Sequence, residues 1–306
     1  MTENLLDNVH INFDAGALWV LNLVLGLVMF GVALEISLKD FRPLFLKPKA
    51  LILGVFSQFI LLPAVTYLLI LLIEPLPSIA LGMFMVAACP GGNISNFLSY
   101  LSKANTALSV SLTAIATLLA IVMTPLNFHF WSMLYSPSSK LIQEISISSV
   151  EMFKLVSLLL GLPLILGMYV NYSHPVLAMK LAKRLKVVSL LFFICLVFIA
   201  LYNNLDIFID YIVYVFWIVL FHNFIAFSTG YSIGKLFRLP EDSVRSITIE
   251  TGIQNSGLGL LLIFTFFDGL GGMALIAAFW GIWHIVSGLI LAALWNGKPI
   301  AKETIA

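Results

Sequence analysis

The chain has 306 residues, 61% of them hydrophobic and 10% charged, and carries far more apolar surface than one water-soluble core can hide, since soluble domains hold about 25% charged residues. The net charge of +1, with basic residues in short clusters and not along one face, excludes the broad electropositive footprint of a nucleic-acid binder. Cys89 and Cys195 each lie in an apolar run, so neither a disulfide framework nor a metal-cluster spacing is readable.

The stretch Met1 to Gly16 holds three acids and no Lys or Arg, the wrong charge for the start of a cleavable signal peptide. It reads as a polar tail, with the first span acting as its own membrane signal. A bilayer core needs about 20 apolar residues per helix, and helices are favoured there because each backbone polar group is satisfied within the span. That measure predicts an all-α integral membrane protein of about nine transmembrane helices, near 17–36, 50–73, 78–102, 105–127, 150–171, 187–203, 208–234, 243–266 and 271–295. No soluble domain or low-complexity linker interrupts them, and the longest outer connection, about His129 to Ser149, is Ser-rich.

Charge supplies the orientation, because short cytoplasmic loops hold the excess of Lys and Arg. With the N-terminus outside, fourteen of the sixteen basic residues fall on inward ends: Lys39, Arg42, Lys47, Lys49, Lys103, Lys180, Lys183, Arg184, Lys186, Lys235, Arg238, Arg245, Lys298 and Lys302. Lys140 and Lys154 fall outside, where the loops carry Glu74, Glu144, Asp206, Asp210 and Asp268. The expected placement is a multi-pass protein of the plasma or inner membrane with a cytoplasmic C-terminus.

Two spans are polar where a lipid-facing helix is not. In the third, Cys89-Pro90-Gly91-Gly92-Asn93-Ile94-Ser95-Asn96 puts a proline and two glycines near mid-span, which breaks the hydrogen-bond ladder. The eighth repeats the theme with Glu250-Thr251-Gly252-Ile253-Gln254-Asn255-Ser256-Gly257. Interrupted helices in corresponding halves point to a transporter binding site, where half-helix N-termini face anions and freed carbonyls coordinate cations. Leu76-Pro77 and Leu239-Pro240, one before each broken span, are a weak echo of inverted repeats. Glu250 is the sharpest residue, because an acid at mid-span costs at least about 2.5 kcal/mol and faces a cavity, a partner or an ion path. A plainer role is a pairing with Arg245 near the start of its span. Ser109 and Thr113, at i and i+4 on one helix face, Gln58, His222 with Asn223, and His284 are also polar groups within spans, each open to a reading as helix-to-helix hydrogen bonding.

These residues resemble the bile acid:sodium symporters. The matching segments are Lys47-Pro48-Lys49 through Gln58-Phe59 to Pro63, Cys89 through Asn96, Ala107 through Thr117, His222-Asn223, Ile249 through Ser256, and Trp283-His284 with Ser287-Gly288. The resemblance implies a panel of the first, fifth and sixth spans beside a core of the other six, in which two broken helices cross. It implies two sodium ions, the first held by Ser95, Asn96, Ser109, Thr113 and Glu250. The second would use Gln58, Gln254, Glu250 and main-chain carbonyls near Thr251 and Ile253. Substrate contacts carried over are Asn93, Ile94 through its backbone, Asn255 and His284. Two departures from the family pattern are expected: the sequence reads without the initial span common in bacterial members, and His284-Ile285 replaces the His-Asn of some members.

Sodium is a hard cation matched by oxygen, and these positions offer hydroxyl, amide, carboxylate and carbonyl oxygens. Two sodium ions against one carboxylate leave a positive charge that favours an anionic substrate. The expected function is an alternating-access symporter of an organic anion such as a bile acid or small carboxylate, with sodium, substrate and membrane lipid as its partners. Rivals are a proton-coupled transporter with Glu250 titrating, a passive channel or receptor, and an intramembrane enzyme. The last lacks paired catalytic carboxylates, a zincin motif or a serine nucleophile elbow.

Overall fold

The computed structural model describes residue 7 and residues 18–37, 48–145, 149–202 and 205–296. The tail apart from Asp7, and Lys39, Arg42, Lys47, Lys298 and Lys302, lie outside the described residues. The described chain is helical: α1 Leu18–Ala33, α2 Pro48–Ile73, α3 Pro77–Ala88, α4 Ile94–Leu101, α5 Thr106–Leu134, α6 Ser136–Ile145, α7 Ser149–Ser173, α8 Pro175–Tyr202, α9 Leu205–Leu236, α10 Glu241–Gly252, α11 Ser256–Phe266 and α12 Gly271–Asn296. Among the described residues a helix, or a pair of half-helices, overlaps each of the expected segments. By length and composition α2, α5, α12 and the Tyr211–Leu236 part of α9 can each cross a bilayer.

The surface fits a lipid solvent. Leu72, Phe224, Ile165 and Leu68 are among many large apolar side chains that face outward, an arrangement that would aggregate in water. Inside, one large apolar cluster joins α3, α11 and α12, with Phe84, Phe264, Phe267 and Trp280 buried. α1, α7 and α8 pack on one another. At Gly167 the α7 backbone lies so close to Phe30 and Ala33 of α1 that a Cβ would collide, the small-residue contact that lets membrane helices approach. Asn171 adds a 2.6 Å bond to the Leu34 carbonyl.

Several elements differ from the expectation for a reason that can be named. α2 contains a π-helical turn at Ser57–Leu61, closed by the Leu62 N–H on the Ser57 carbonyl. α5 runs to Leu134, past Pro125, where 127 was expected. Proline leaves the carbonyl four residues back without its donor, and here the Ser157 hydroxyl reaches the Ile121 carbonyl at 3.4 Å. The Ser-rich connection holds a further helix, α6.

Both broken spans are resolved as half-helices. α3 and α4 are separated by residues 89–93, and α10 and α11 by residues 253–255. The breaks meet in an antiparallel bridge between Gly91 and Gln254, in which Gly92 N–H donates to the Ile253 carbonyl and Asn255 N–H to the Pro90 carbonyl, both at 2.8 Å. Each break thus satisfies backbone groups that the other leaves open, which irregular backbone buried in a membrane protein requires.

Candidate functional site

Glu250 occupies the last turn of α10 and is 2% exposed. Its Oε2 accepts a 2.6 Å bond from Ser95 on α4, and Thr113 on α5 donates to Oε1 at 2.8 Å or Oε2 at 3.0 Å. The Asn96 Oδ1 is a second focus, within 2.9 Å of the Ser109 hydroxyl and 3.2 Å of that of Thr113. All five oxygen-bearing residues expected at the first site therefore converge from three helices. Gly91 completes the wall: a Cβ there would overlap the Glu250 carboxylate, so only glycine lets the other break pass.

Arg245 does not pair with Glu250. Its guanidinium donates to the Ser102 carbonyl at 2.8 Å and the Trp295 carbonyl at 3.2 Å, and lies 3.7 Å from Glu241. It ties together chain ends beyond α4 and within α12.

The residues expected at the second site form an adjacent polar cluster. Gln58 Nε2 donates to the Cys89 carbonyl at 2.9 Å and to Gln254 Oε1 at 2.7 Å, while Gln254 Nε2 donates to the Thr251 carbonyl at 2.7 Å. The Ile253 carbonyl is taken by Gly92 N–H. Glu250 meets this cluster through the backbone, since Gly91, against its carboxylate, pairs with Gln254. Ser57 and Gln58 open the π-turn of α2, and both reach the crossing. Ser57, which sequence reasoning missed, lies 2.9 Å from the Thr251 hydroxyl. π-turns recur at functional sites, and nothing in the hydropathy of this segment announces one.

The substrate-contact residues are less tightly gathered. Asn93 is the cap residue of α4 without a side-chain cap bond, Ile94 opens that helix, and the Asn255 side chain caps α11 by accepting from Leu258 N–H at 3.0 Å. His284 is buried on α12, and its Nδ1 has no hydrogen-bond partner among the described residues. A cavity of about 600 Å³ lies between α9 and α12, lined by Asn223, Phe227, Thr248, Trp283 and Ser287 among others, but by none of these four. His222 and Asn223 serve different ends. His222 Nε2 is 2.7 Å from the Thr66 hydroxyl, a helix-to-helix contact, whereas Asn223 reaches the second break.

The family described as the Sodium Bile acid symporter family matches residues 22–211. The chain belongs to that family. It is therefore a multi-pass membrane transporter of a sodium-coupled symporter family, and its relatives are transporters, not enzymes. It is 34% identical over 283 residues to the uncharacterized sodium-dependent transporter YocS of Bacillus subtilis (strain 168), covering 92% of this chain and 85% of that one. It is 30% identical over 273 residues to a probable sodium/metabolite cotransporter, BASS1, of the chloroplast of Oryza sativa subsp. japonica, covering 89% of this chain and 64% of that longer protein. The ileal sodium/bile acid cotransporter of Homo sapiens is 29% identical over 241 residues, or 78% of this chain and 67% of its own.

Proposed function

We propose that this chain couples the movement of two sodium ions to that of an organic anion by alternating access. The observation that carries the proposal is the Glu250 carboxylate, 2% exposed at the meeting of two helix breaks, whose partners among the described residues are neutral hydroxyls. A buried carboxylate is expensive unless a cation pairs with it. A sodium ion supplies that charge, with Ser95, Asn96, Ser109 and Thr113 as the rest of its oxygen shell. A second ion is held by Gln58, Gln254, Glu250 and the Thr251 and Ile253 carbonyls. Its arrival swings the two amides so that their oxygens, now engaged with N–H donors, face the ion.

The substrate is an organic anion, such as a bile acid or small carboxylate. Asn93, the Ile94 backbone, Asn255 and His284 contact it where the N-termini of α4 and α11 concentrate positive potential. α1, α7 and α8 form a panel that moves against a core made of the remaining spans. Their mutual packing supports that division. The N-terminus lies outside and the C-terminus in the cytoplasm.

Proteoliposomes loaded without sodium and diluted into sodium, then screened with carboxylates and steroid conjugates, test the proposal. Sodium-driven accumulation of at least one anion, abolished by Glu250→Ala, is expected. Accumulation that follows a pH gradient and ignores sodium selects the proton-coupled mechanism instead.

A further inference from the structure

Asn223 belongs to neither the sodium nor the substrate set above, yet it binds the second break from behind. Its side chain is 1% exposed; Nδ2 donates to the Gly252 carbonyl at 2.8 Å, and Oδ1 accepts from the Ser287 hydroxyl at 2.6 Å. One turn along α9, the Phe227 ring closes on Gly252 so tightly that a Cβ there would overlap it. α9 thus grips the last residue of α10 at two points, and Ser287 on α12 fixes which way the gripping amide faces.

The end of α10 leaves carbonyls without helical donors. The Thr251 carbonyl accepts from Gln254 Nε2 at 2.7 Å and the Ile253 carbonyl from Gly92 N–H at 2.8 Å, both at the crossing. The Gly252 carbonyl between them goes to α9. Ile253 is extended, with φ −107 and ψ 99, and in extended chain successive carbonyls point to opposite sides. We infer that Asn223 is a positioning residue for the second sodium ion: by holding the Gly252 carbonyl against α9, it fixes the end of α10 from which the Thr251 carbonyl meets Gln254 and turns the Ile253 carbonyl the other way, into the crossing. The inference rests on the sodium reading proposed above. Groups that orient a metal's ligands without touching the ion change its affinity by about 10–100-fold.

The test is thermal unfolding of the purified full chain, titrated with sodium chloride against choline chloride at constant ionic strength. In Asn223→Ala and Asn223→Asp, which cannot donate to Gly252, the sodium concentration for half-maximal stabilisation should rise about ten-fold or more and the response should become less steep. Ser287→Ala, which keeps the donor but frees its orientation, should shift the midpoint in the same direction by less, and it carries the test if the Asn223 variants fail to fold. Thr66→Val is the control: it removes the bond to the neighbouring His222 and should lower the melting temperature without sodium while leaving the sodium midpoint unchanged. Asn223 variants that lower the sodium-free melting temperature but keep the wild-type midpoint and steepness overturn the inference, leaving Asn223 a packing group. A wild-type protein that sodium does not stabilise at all overturns the sodium reading itself.

Discussion

At the scale of single residues, the site is a carboxylate surrounded by neutral donors. Thr113 reaches both Glu250 oxygens and Asn96, so Thr113→Val removes a site oxygen and leaves buried acceptors short of a donor. It should lower sodium-free stability by about 1–3 kcal/mol and weaken the stabilisation that sodium adds, both readable in one thermal titration. Gly91→Ala is a sharper probe. The added methyl occupies the space of the carboxylate, and the Gly91–Gln254 bridge leaves little room for the break to retreat. Sodium-driven uptake should be lost even where the protein still reaches the membrane; uptake at wild-type levels would show that the packing around Glu250 is looser than described.

Elements explain why these residues meet. Among the described residues, the four with left-handed backbone other than glycine, Glu74, Lys103, Arg238 and Asp268, sit at corresponding turns. Glu74 and Arg238 each stand three residues before the start of a twelve-residue half-helix, α3 or α10, and Lys103 and Asp268 each stand three residues before α5 or α12. Leu76 and Pro240, the caps of α3 and α10, share φ −52 and ψ 144. The turn geometry thus repeats around each broken helix, with Leu76 equivalent to Pro240, so that the two Leu-Pro dipeptides of the sequence are offset by one residue. Asn105 and Asn255 likewise both cap a helix, accepting from Leu108 and Leu258 N–H at 3.0 Å. Replacing either by alanine should cost about 1 kcal/mol of stability. Only Asn255→Ala should also impair anion uptake, since Asn105 lies at the far end of the half-helix pair; equal loss of uptake in both would make the effect one of stability.

Legibility in the sequence followed local chemistry. Proline and glycine announce a break wherever they occur, so 89–96 and 250–257 stood out, and the side chains between them supplied the candidate oxygens. The π-turn was not legible, because one extra residue in a helical turn leaves hydropathy unchanged. Nor was the continuation of α5 through Pro125, which depends on Ser157 from a distant helix. Asn223 read as ordinary interhelical glue, for its partner is a main-chain carbonyl that carries no side-chain signal.

For the molecule as a whole, the repeat and the charge pattern make one prediction together. The corresponding turns bear opposite charges, Glu74 against Arg238 and Lys103 against Asp268, as an inverted repeat under the positive-inside rule requires. All four side chains are exposed. In a background without the native cysteines, a membrane-impermeant maleimide applied to intact cells should label Glu74→Cys and Asp268→Cys, whereas Lys103→Cys and Arg238→Cys should react only after permeabilisation. Labelling of all four, or the reverse pattern, would overturn the proposed orientation.

Binding of radioactive sodium to the purified protein reaches the central claim without any need to know the substrate. The account predicts saturable binding, displaced by unlabelled sodium but not by potassium, that approaches two ions per chain and disappears in Glu250→Ala. Equal binding by wild type and Glu250→Ala would contradict it, because the buried carboxylate at the crossing would then not be holding the ions.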